Sequence, residues 1–108
     1  MARIGIDAAS IARFKPFTDK TDRFLTKNFT EEELTYCFSY ASPAPHLAGT
    51  FAGKEAVNKA LAGKYMLAEI EIRRTKKGVP EAWRKGRKLK IALSITHEEN
   101  MAIAAALG

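Results

Sequence analysis

The stretch HLAGTFAGKEAVNKALAG, residues 46–63, decides the fold, because it predicts a long helix from about His46 to Ala62 with Gly63 as its C-terminal stop. On a helical projection it has no clean polar face, and polar residues such as Glu55 interleave with large apolar ones. A helix without a solvent side is normally buried, and an unpaired carboxylate buried there is very costly. Glu55 is therefore expected to lie close to a cation.

The rest of the first half predicts one strand and two further helices. Arg3–Asp7 is a short strand that ends on a carboxylate, and apolar residues at helical spacing predict a helix around Ile11–Phe17. Thr30 and Glu33 form a capping-box signature, which predicts a helix from Glu31 to about Tyr40.

The second half is typical of hairpins. Alternating apolar and polar residues predict strands at Glu69–Arg73 and Lys88–Ile95. The apolar run Met101–Leu107 predicts a fully buried strand. The turns fall at Lys77–Pro80 and Glu98–Asn100. Helices followed by hairpins indicate an α+β fold with helices packed on a small antiparallel sheet, forming a single domain over residues 1–108.

Composition narrows the function without deciding it. The chain has 18 Lys and Arg against 12 Asp and Glu, a net charge of +6 that attracts polyanions such as nucleic acid, a phosphorylated cofactor or an acidic protein. No apolar run is long enough to cross a bilayer. Cys37 is the only cysteine, which excludes a disulfide framework and a zinc cluster. A soluble, cytoplasmic protein that oligomerises is the expectation.

Three side chains are candidates for chemistry, and each has a simpler explanation. Asp7 closes a strand and can cap the next helix. Glu55 and Lys59 are four residues apart and can form a helix-surface ion pair. His97, at a strand end, can be an ordinary surface residue. None of the three identifies a function alone.

Together, however, these residues lie in motifs that resemble the holo-[acyl carrier protein] synthases, the small single-domain branch of the 4′-phosphopantetheinyl transferases. The resemblance covers nearly the whole chain in order. Its elements are Gly5-Ile6-Asp7 with Ile11 and Arg13, then Arg23–Leu34, then Phe51–Ala56 with Lys59-Ala60, then Gly78-Val79-Pro80, and finally Ser94-Ile95-Thr96-His97.

The resemblance implies Mg²⁺-dependent transfer of the phosphopantetheine arm of coenzyme A to a serine of an apo acyl carrier protein, releasing 3′,5′-adenosine diphosphate. Asp7 and Glu55 would hold the metal, which suits two hard carboxylate ligands. Lys59 would contact phosphate. The base that accepts the serine proton stays open between a carboxylate and a metal-bound water that Asp7 or Glu55 activates.

The resemblance also assigns the substrates and the assembly. It implies homotrimers with active sites between subunits, acting in fatty acid or related lipid metabolism. Arg13 and Arg23 would meet the acidic carrier protein. Coenzyme A would be bound by a larger set: Lys54, Lys59, Gly78, Pro80, Ser94 and His97.

Two positions depart from the family pattern. Thr50 stands where many relatives have arginine before the phenylalanine of the second motif, and Val79 replaces a basic residue in the Gly-x-Pro turn. Another cation could substitute at the first position, or coenzyme A could bind more weakly.

Two other functions compete with this one. One is a noncatalytic module that binds nucleic acid through the basic runs Arg73–Lys77 and Arg84–Lys90, although Trp83 is the only aromatic close to either. The other is an inactive relative that serves as a structural subunit, which Thr50 supports and the retained Asp7 and Glu55 disfavour.

Overall fold

The computed structural model describes residues 2–108, and it has two small antiparallel sheets with helices packed on one of them. The strands are β1 (Ile4–Ser10), β2 (Glu71–Arg74), β3 (Pro80–Arg84), β4 (Arg87–Lys88), β5 (Ala92–His97) and β6 (Met101–Leu107). The α-helices are α1 (Arg23–Asn28), α2 (Glu31–Phe38) and α3 (Pro43–Ala60). The expected α+β class is confirmed.

The larger sheet has the order β1-β6-β5, and the pairing of residues across its strands sets the position of the site. Asp7 pairs with Ala104 on β6, and Ala104 pairs with Ile95 on β5. Alternate residues of β6 are buried under α3, while the intervening ones are exposed. The expectation of a fully buried last strand is therefore wrong, because only one face of this sheet is covered. The second sheet has the order β2-β3-β4.

Helix α3 is the centre of the fold, and eleven of its residues are buried. It begins at Pro43, earlier than predicted, because Pro45 and Pro43 occupy its first turn, where proline is tolerated. It ends at Ala60, and Gly63 with φ +70° lies in the turn that follows. The predicted buried helix is thus confirmed, with its start shifted.

Several predicted boundaries are corrected by the structure. Around Ile11–Phe17 only a 3₁₀ turn forms, Ala12–Phe14, since Pro16 has no backbone N–H with which to continue the helical hydrogen bonds. The strand expected at Lys88–Ile95 divides into β4 and β5. The chain before Glu71 forms a 3₁₀ turn, Leu67–Glu69.

Helix α1 was not predicted, although its signal is visible in the sequence. The Asp22 carboxylate accepts hydrogen bonds from the backbone N–H groups of Phe24 at 2.8 Å and Leu25 at 3.3 Å, which is the geometry of a helix N-cap. The capping box at α2 is confirmed: Glu33 accepts from Thr30 N at 2.8 Å, and Thr30 Oγ1 accepts from Glu33 N at 3.2 Å.

No helix within residues 2–108 is both long and apolar enough to cross a membrane.

Candidate active site

A glycine brings the first candidate residues together. A Cβ built on Gly5 would lie 1.9 Å from the carbonyl oxygen of Ala56 and 2.8 Å from the backbone nitrogen of Ala60. Strand β1 and helix α3 therefore touch backbone to backbone at this point. Gly5 and Asp7 alternate with exposed residues along β1, so both face α3.

Lys59 bridges the helix and the strand. Its Nζ donates to the Ile6 carbonyl oxygen at 2.9 Å and to Asp7 Oδ1 at 3.2 Å. The Asp7 side chain is only 16% exposed, whereas that of Lys59 is 54% exposed. The partner of Lys59 is thus Asp7 and not Glu55, so the structure does not contain the ion pair within α3 that was the simpler explanation of Glu55.

Glu55 is half-buried on α3, and the charges of Asp7 and Lys59 act on it as well. Burial and the neighbouring charge of Asp7 raise its pKa, while the positive charges of Lys59 and Arg13 oppose that rise. The charge of Asp7 thus lies close enough to disfavour ionisation of Glu55. A cation between them would relieve that repulsion.

The residues present fit Mg²⁺. Asp7 and Glu55 offer hard oxygen donors on one edge of the larger sheet, and both retain some exposure to solvent. Across residues 2–108 no cluster of three or more His, Cys, Asp or Glu could hold a metal ion. Mg²⁺ is commonly bound through one or two carboxylates, with water and phosphate oxygens completing its shell, so a pair suffices.

Lys54 does not belong to this site. Its side chain is fully buried and forms an ion pair with Glu33, whose other carboxylate oxygen accepts from Ile72 N at 2.7 Å. Burial lowers the pKa of Lys54 and raises that of Glu33, and their mutual attraction opposes both shifts. The expectation that Lys54 contacts coenzyme A is wrong for this reason, since an ammonium without exposed surface cannot reach a phosphate.

A second group of predicted residues meets at a small pocket of about 180 Å³. It lies between the N-terminal half of α3, the turn after β2 and the end of β5. Three of its lining residues were predicted from the sequence: Gly78, Pro80 and His97. Tyr36, His46 and Arg74 are among the lining residues that were not predicted.

The two groups lie on opposite edges of the larger sheet. Asp7 is on the β1 edge and His97 is on the β5 edge, two strands away, which is about 10 Å across a sheet. Ser94 pairs with Ala105, an exposed residue, so it lies on the open face and not on the α3 face. One chain therefore does not bring Ser94, His97 and the Asp7 carboxylate into a single site.

Arg13 and Arg23 are both exposed, as a contact with a partner requires. Arg13 lies over an aromatic cluster, with its Cζ 4.9 Å from the ring centre of Phe51 and 5.5 Å from those of Phe14 and Phe24. Its charge opposes the rise in the pKa of Glu55, so it lies close to that carboxylate. Arg23 begins α1.

Thr50 and Arg74 form a unit that sequence reasoning missed. Thr50 is fully buried, and its Oγ1 accepts a hydrogen bond from Arg74 Nη2 at 3.1 Å. The Arg74 guanidinium carbon lies 4.1 Å from the ring centre of Tyr36. The sequence shows that position 50 lacks the arginine of many relatives. No pattern in the sequence indicates which other cation lies near this position. Val79, at the second departure, is 52% exposed.

Some side chains of the two basic runs pair with acidic neighbours. Arg73 Nε lies 2.6 Å from Glu71 Oε1, and its guanidinium carbon lies 4.1 Å from the ring centre of Trp83. Lys88 Nζ is 3.1 Å from Glu81 Oε2. Because the one nearby aromatic is covered by Arg73, the geometry does not favour nucleic-acid stacking.

The chain is similar to known proteins over nearly its whole length. Residues 3–106 match the model of the 4′-phosphopantetheinyl transferase superfamily. The chain is 45% identical over 104 residues to a holo-[acyl-carrier-protein] synthase of Thermodesulfovibrio yellowstonii, covering 94% of this chain and 92% of that protein. It is 43% identical over 117 residues to one of Chlamydia trachomatis, covering 99% and 98%.

Solved structures agree as well. A synthase of Bacillus anthracis in complex with coenzyme A (3′,5′-ADP) has a TM-score of 0.81 at 28% identity, covering 97% of this chain and 93% of that one. A Helicobacter pylori synthase in complex with coenzyme A has a TM-score of 0.79 at 28% identity, covering 95% and 96%. The resemblance read from the sequence is confirmed, and the chain belongs to the 4′-phosphopantetheinyl transferase superfamily, with holo-[acyl-carrier-protein] synthases among its relatives.

Proposed function

We propose that this protein transfers the 4′-phosphopantetheine group of coenzyme A to a serine of an apo acyl carrier protein, releasing 3′,5′-adenosine diphosphate. The observation that carries the proposal is the meeting of Asp7, Glu55 and Lys59 on the β1 edge of the sheet in a chain of this family. Relatives named for this activity, and relatives solved with coenzyme A, support it.

The reaction is an attack by the serine hydroxyl oxygen on the β-phosphorus of coenzyme A. A new oxygen–phosphorus bond forms, the bond from that phosphorus to the bridging oxygen breaks, and 3′,5′-adenosine diphosphate leaves. The hydroxyl proton passes to Asp7 or Glu55, or to a water beside them. Lys59 is suited to contact the phosphate oxygens, because its ammonium group is anchored at Asp7 but remains exposed.

Mg²⁺ belongs to the same proposal, held by Asp7 and Glu55. When bound, it would neutralise negative charge on the phosphate oxygens and orient them for attack. The support from this chain is the donor set itself: two carboxylates, of which Glu55 has a pKa raised by burial and by the charge of Asp7, with no third acidic or imidazole ligand grouped with them in residues 2–108.

The carrier protein would approach over Arg13 and Arg23. Both are exposed, and Arg13 is close to the carboxylate pair. A cationic rim beside the reacting groups attracts an acidic partner and raises its encounter rate more than its affinity. The net charge of +6 acts in the same direction.

We also propose a homotrimer with active sites between subunits. Two observations support it. The open face of the larger sheet exposes a group of large apolar side chains: Ile4, Ile6, Met101, Ile103 and Leu107. Such a face is typical of an interface. In addition, the β1 edge carries Asp7 and the β5 edge carries His97 and its pocket, so a neighbouring subunit can supply the half that one chain keeps apart.

A cytoplasmic location is part of the proposal. The single cysteine, Cys37, is buried and free, which suits a reducing compartment.

The test incubates the protein with coenzyme A, Mg²⁺ and an apo carrier protein, and follows the mass of the carrier by mass spectrometry. We expect the carrier to gain one phosphopantetheine group and 3′,5′-adenosine diphosphate to appear in equal amount. Chelation of the metal should stop both. A carrier of unchanged mass, together with tight, salt-sensitive RNA binding, would favour the noncatalytic alternative.

The metal ligands are tested by Asp7→Ala and Glu55→Ala. Each is expected to abolish transfer while far-UV circular dichroism stays unchanged. Asp19→Ala is the matched control, since Asp19 is an exposed carboxylate whose hydrogen bonds go to Thr21. Near-normal turnover of either variant would contradict the assignment of that residue as a metal ligand.

A further inference from the structure

Another cavity, of about 380 Å³, opens beside Lys59 at the C-terminal end of α3. One wall is the start of the chain before and within β1, with Arg3, and the other is the turn that follows α3, with Lys64 and Tyr65. None of the residues that line this cavity is a carboxylate. Because Lys59 lines the cavity and also contacts Asp7, the cavity adjoins the candidate active site.

The turn that forms one wall of the cavity is held by several contacts. The side-chain amide of Asn58 pairs with the backbone of Tyr65: Nδ2 donates to the carbonyl oxygen at 2.7 Å, and Oδ1 accepts from the nitrogen at 3.1 Å. The Gly63 nitrogen donates to the Asn58 carbonyl oxygen at 2.8 Å. The guanidinium carbon of Arg84 lies 4.0 Å from the ring centre of Tyr65. The cavity is therefore preformed, which lowers the cost of binding a ligand.

The cavity has positive charge that no acidic side chain neutralises. Lys59 is paired with Asp7, but neither Arg3 nor Lys64 has an ion-pair partner in the part of the chain that the structure describes. The C-terminal end of a helix supplies only about half an elementary negative charge, which does not neutralise two cations. An anionic group is therefore the ligand that suits these two side chains.

Strand β1 is an edge strand whose backbone leads from the active site into the cavity. Arg3 exchanges two backbone hydrogen bonds of 2.8 Å with Gly108, so the backbone groups of Ile4 and Ile6 point to the free edge. The Ile6 carbonyl accepts from Lys59, and Ile4 lines the cavity. The arm of coenzyme A contains two amides, which are the groups that can pair with a strand edge.

The length of this path matches the length of the arm. Arg3 and Asp7 are four residues apart on the same face of the chain, which is about 13 Å along a strand. From the reacting phosphorus to the sulfur the arm has about thirteen chain atoms, as many as about four residues of backbone, and it reaches about 13 Å when extended. With the phosphorus at Asp7 and Glu55, an arm that follows β1 has its sulfur beside Arg3.

We propose that this cavity receives the distal end of the coenzyme A arm, and that Arg3 and Lys64 select acyl donors that end in a carboxylate, such as succinyl-coenzyme A. The inference rests on the proposed function and deepens it, because it names a substrate class for the same site. The acyl group begins at the sulfur, so its last atoms lie among the two cations. An apolar acyl chain leaves both cations without a partner, whereas a terminal carboxylate pairs with them.

The acyl group takes no part in the transfer step. The serine oxygen forms its bond to the β-phosphorus, the bond from that phosphorus to the bridging oxygen breaks, and 3′,5′-adenosine diphosphate leaves. The serine proton passes to the same acceptor as with free coenzyme A, and the thioester stays intact. The carrier therefore receives the complete acyl-phosphopantetheine group.

The test compares succinyl-coenzyme A with butyryl-coenzyme A, whose acyl groups have the same number of carbons, as donors for the whole protein and an apo carrier. We expect kcat/KM to be about threefold to fivefold higher for succinyl-coenzyme A, the upper range for exposed ion pairs. Lys64→Glu should reverse this ratio, and Arg3→Ala should lower it. Arg87→Glu is the matched control and should keep the wild-type ratio, because Arg87 is an exposed cation on β4 outside the cavity.

A binding measurement without carrier protein separates this proposal from the proposed function. In calorimetry the wild-type protein should bind succinyl-coenzyme A more tightly than butyryl-coenzyme A, and Lys64→Glu should reverse the order. High salt should weaken the wild-type preference, because exposed charges are screened. This result stands even if no carrier is modified, in which case only the transferase activity fails.

Two outcomes would overturn the proposal. One is a wild-type protein that uses and binds the two thioesters equally well. The other is a preference that Lys64→Glu and Arg87→Glu change to the same extent, which would assign it to the net charge of the protein and not to the cavity.

Discussion

At the scale of single residues, the position of the site depends on the absence of a side chain at one glycine. Gly5 has no Cβ, and the nearest heavy atom to an added one would be a backbone oxygen of α3 at 1.9 Å. A backbone cannot rotate away as a side chain can, so the strand and the helix would have to separate. Because Asp7 is on that strand and Glu55 and Lys59 are on that helix, any separation would also open the site.

We therefore expect Gly5→Ala to lower the free energy of unfolding by about 3 kcal/mol or more, the upper range for overpacking. Gly53→Ala is the matched comparison, since the atom nearest to its added Cβ would be the flexible end of the Ile95 side chain at 2.9 Å. There the gain in helix propensity, about 1 kcal/mol, offsets the crowding. Urea denaturation of both variants measures the difference, and equal losses would contradict the explanation.

His46 gives a second prediction at this scale. Its charged form is disfavoured by burial and by the charges of His97 and Arg74, and its ring stacks on Tyr40 at 3.6 Å. We expect its pKa, followed by NMR, to lie below the ordinary value of 6.5. The chain has only two histidines, so His46→Asn assigns the signals.

The consequence for stability has a definite sign. Because the folded-state pKa is lowered, the unfolded chain binds the proton more readily. The free energy of unfolding is therefore highest above pH 6.5 and decreases as the pH falls through the unfolded and then the folded pKa. His46→Asn should flatten this part of the stability curve, and an unchanged curve would show that His46 is not its source.

At the scale of elements, α3 is held by a buried ion pair that its sequence did not reveal. Lys54 on α3 meets Glu33 on α2, and Glu33 also accepts from the backbone of Thr30 and of Ile72 on β2. One carboxylate thus joins two helices and the smaller sheet. The next residue along α3 is Glu55, so this connection also sets the position of a proposed metal ligand.

Removing one member of the pair leaves a buried charge without a partner. We expect Lys54→Met to lower the free energy of unfolding by about 3–5 kcal/mol. The double variant Glu33→Gln/Lys54→Met should lose less than the sum of the two single variants. Denaturation followed by Trp83 fluorescence at equal subunit concentration measures these losses. Lys64→Met, at an exposed lysine, is the control. A loss of stability in Lys54→Met as small as that in Lys64→Met would contradict the prediction.

At the scale of the whole molecule, the proposed site is divided between the two edges of one sheet. Asp7 and Glu55 lie at the β1 edge, and His97 lies at the β5 edge. In a closed ring each edge would meet the opposite edge of a neighbour. Inactive subunits with damage on different edges should therefore complement each other.

We expect Glu55→Ala and His97→Ala each to lose transfer when prepared alone. Trimers formed from an equal mixture should recover about a quarter of wild-type activity, because a quarter of the shared sites combine two intact halves. Differently tagged subunits, purified in two steps, would verify mixed assembly. Mixed trimers without activity would show that each chain carries its own complete site.

What the sequence determined by itself was local or periodic. The buried character of α3 followed from its lack of a polar face, the start of α2 from Thr30 and Glu33, and the family from motifs in order along the chain. These signals are carried by neighbours in the chain, so one sequence suffices to read them. Helix α1 also had such a signal in Asp22, and it was overlooked.

What only the tertiary structure decided were contacts between distant residues. The same lysine-rich helix could have sent Lys54 or Lys59 to the phosphate, and only packing shows that Lys54 pairs with Glu33 in the core while Lys59 reaches Asp7. The approach of Arg74 to Thr50 is likewise invisible in the sequence. The physical reason is that electrostatic and packing energies depend on distance in space, which the order of residues does not specify.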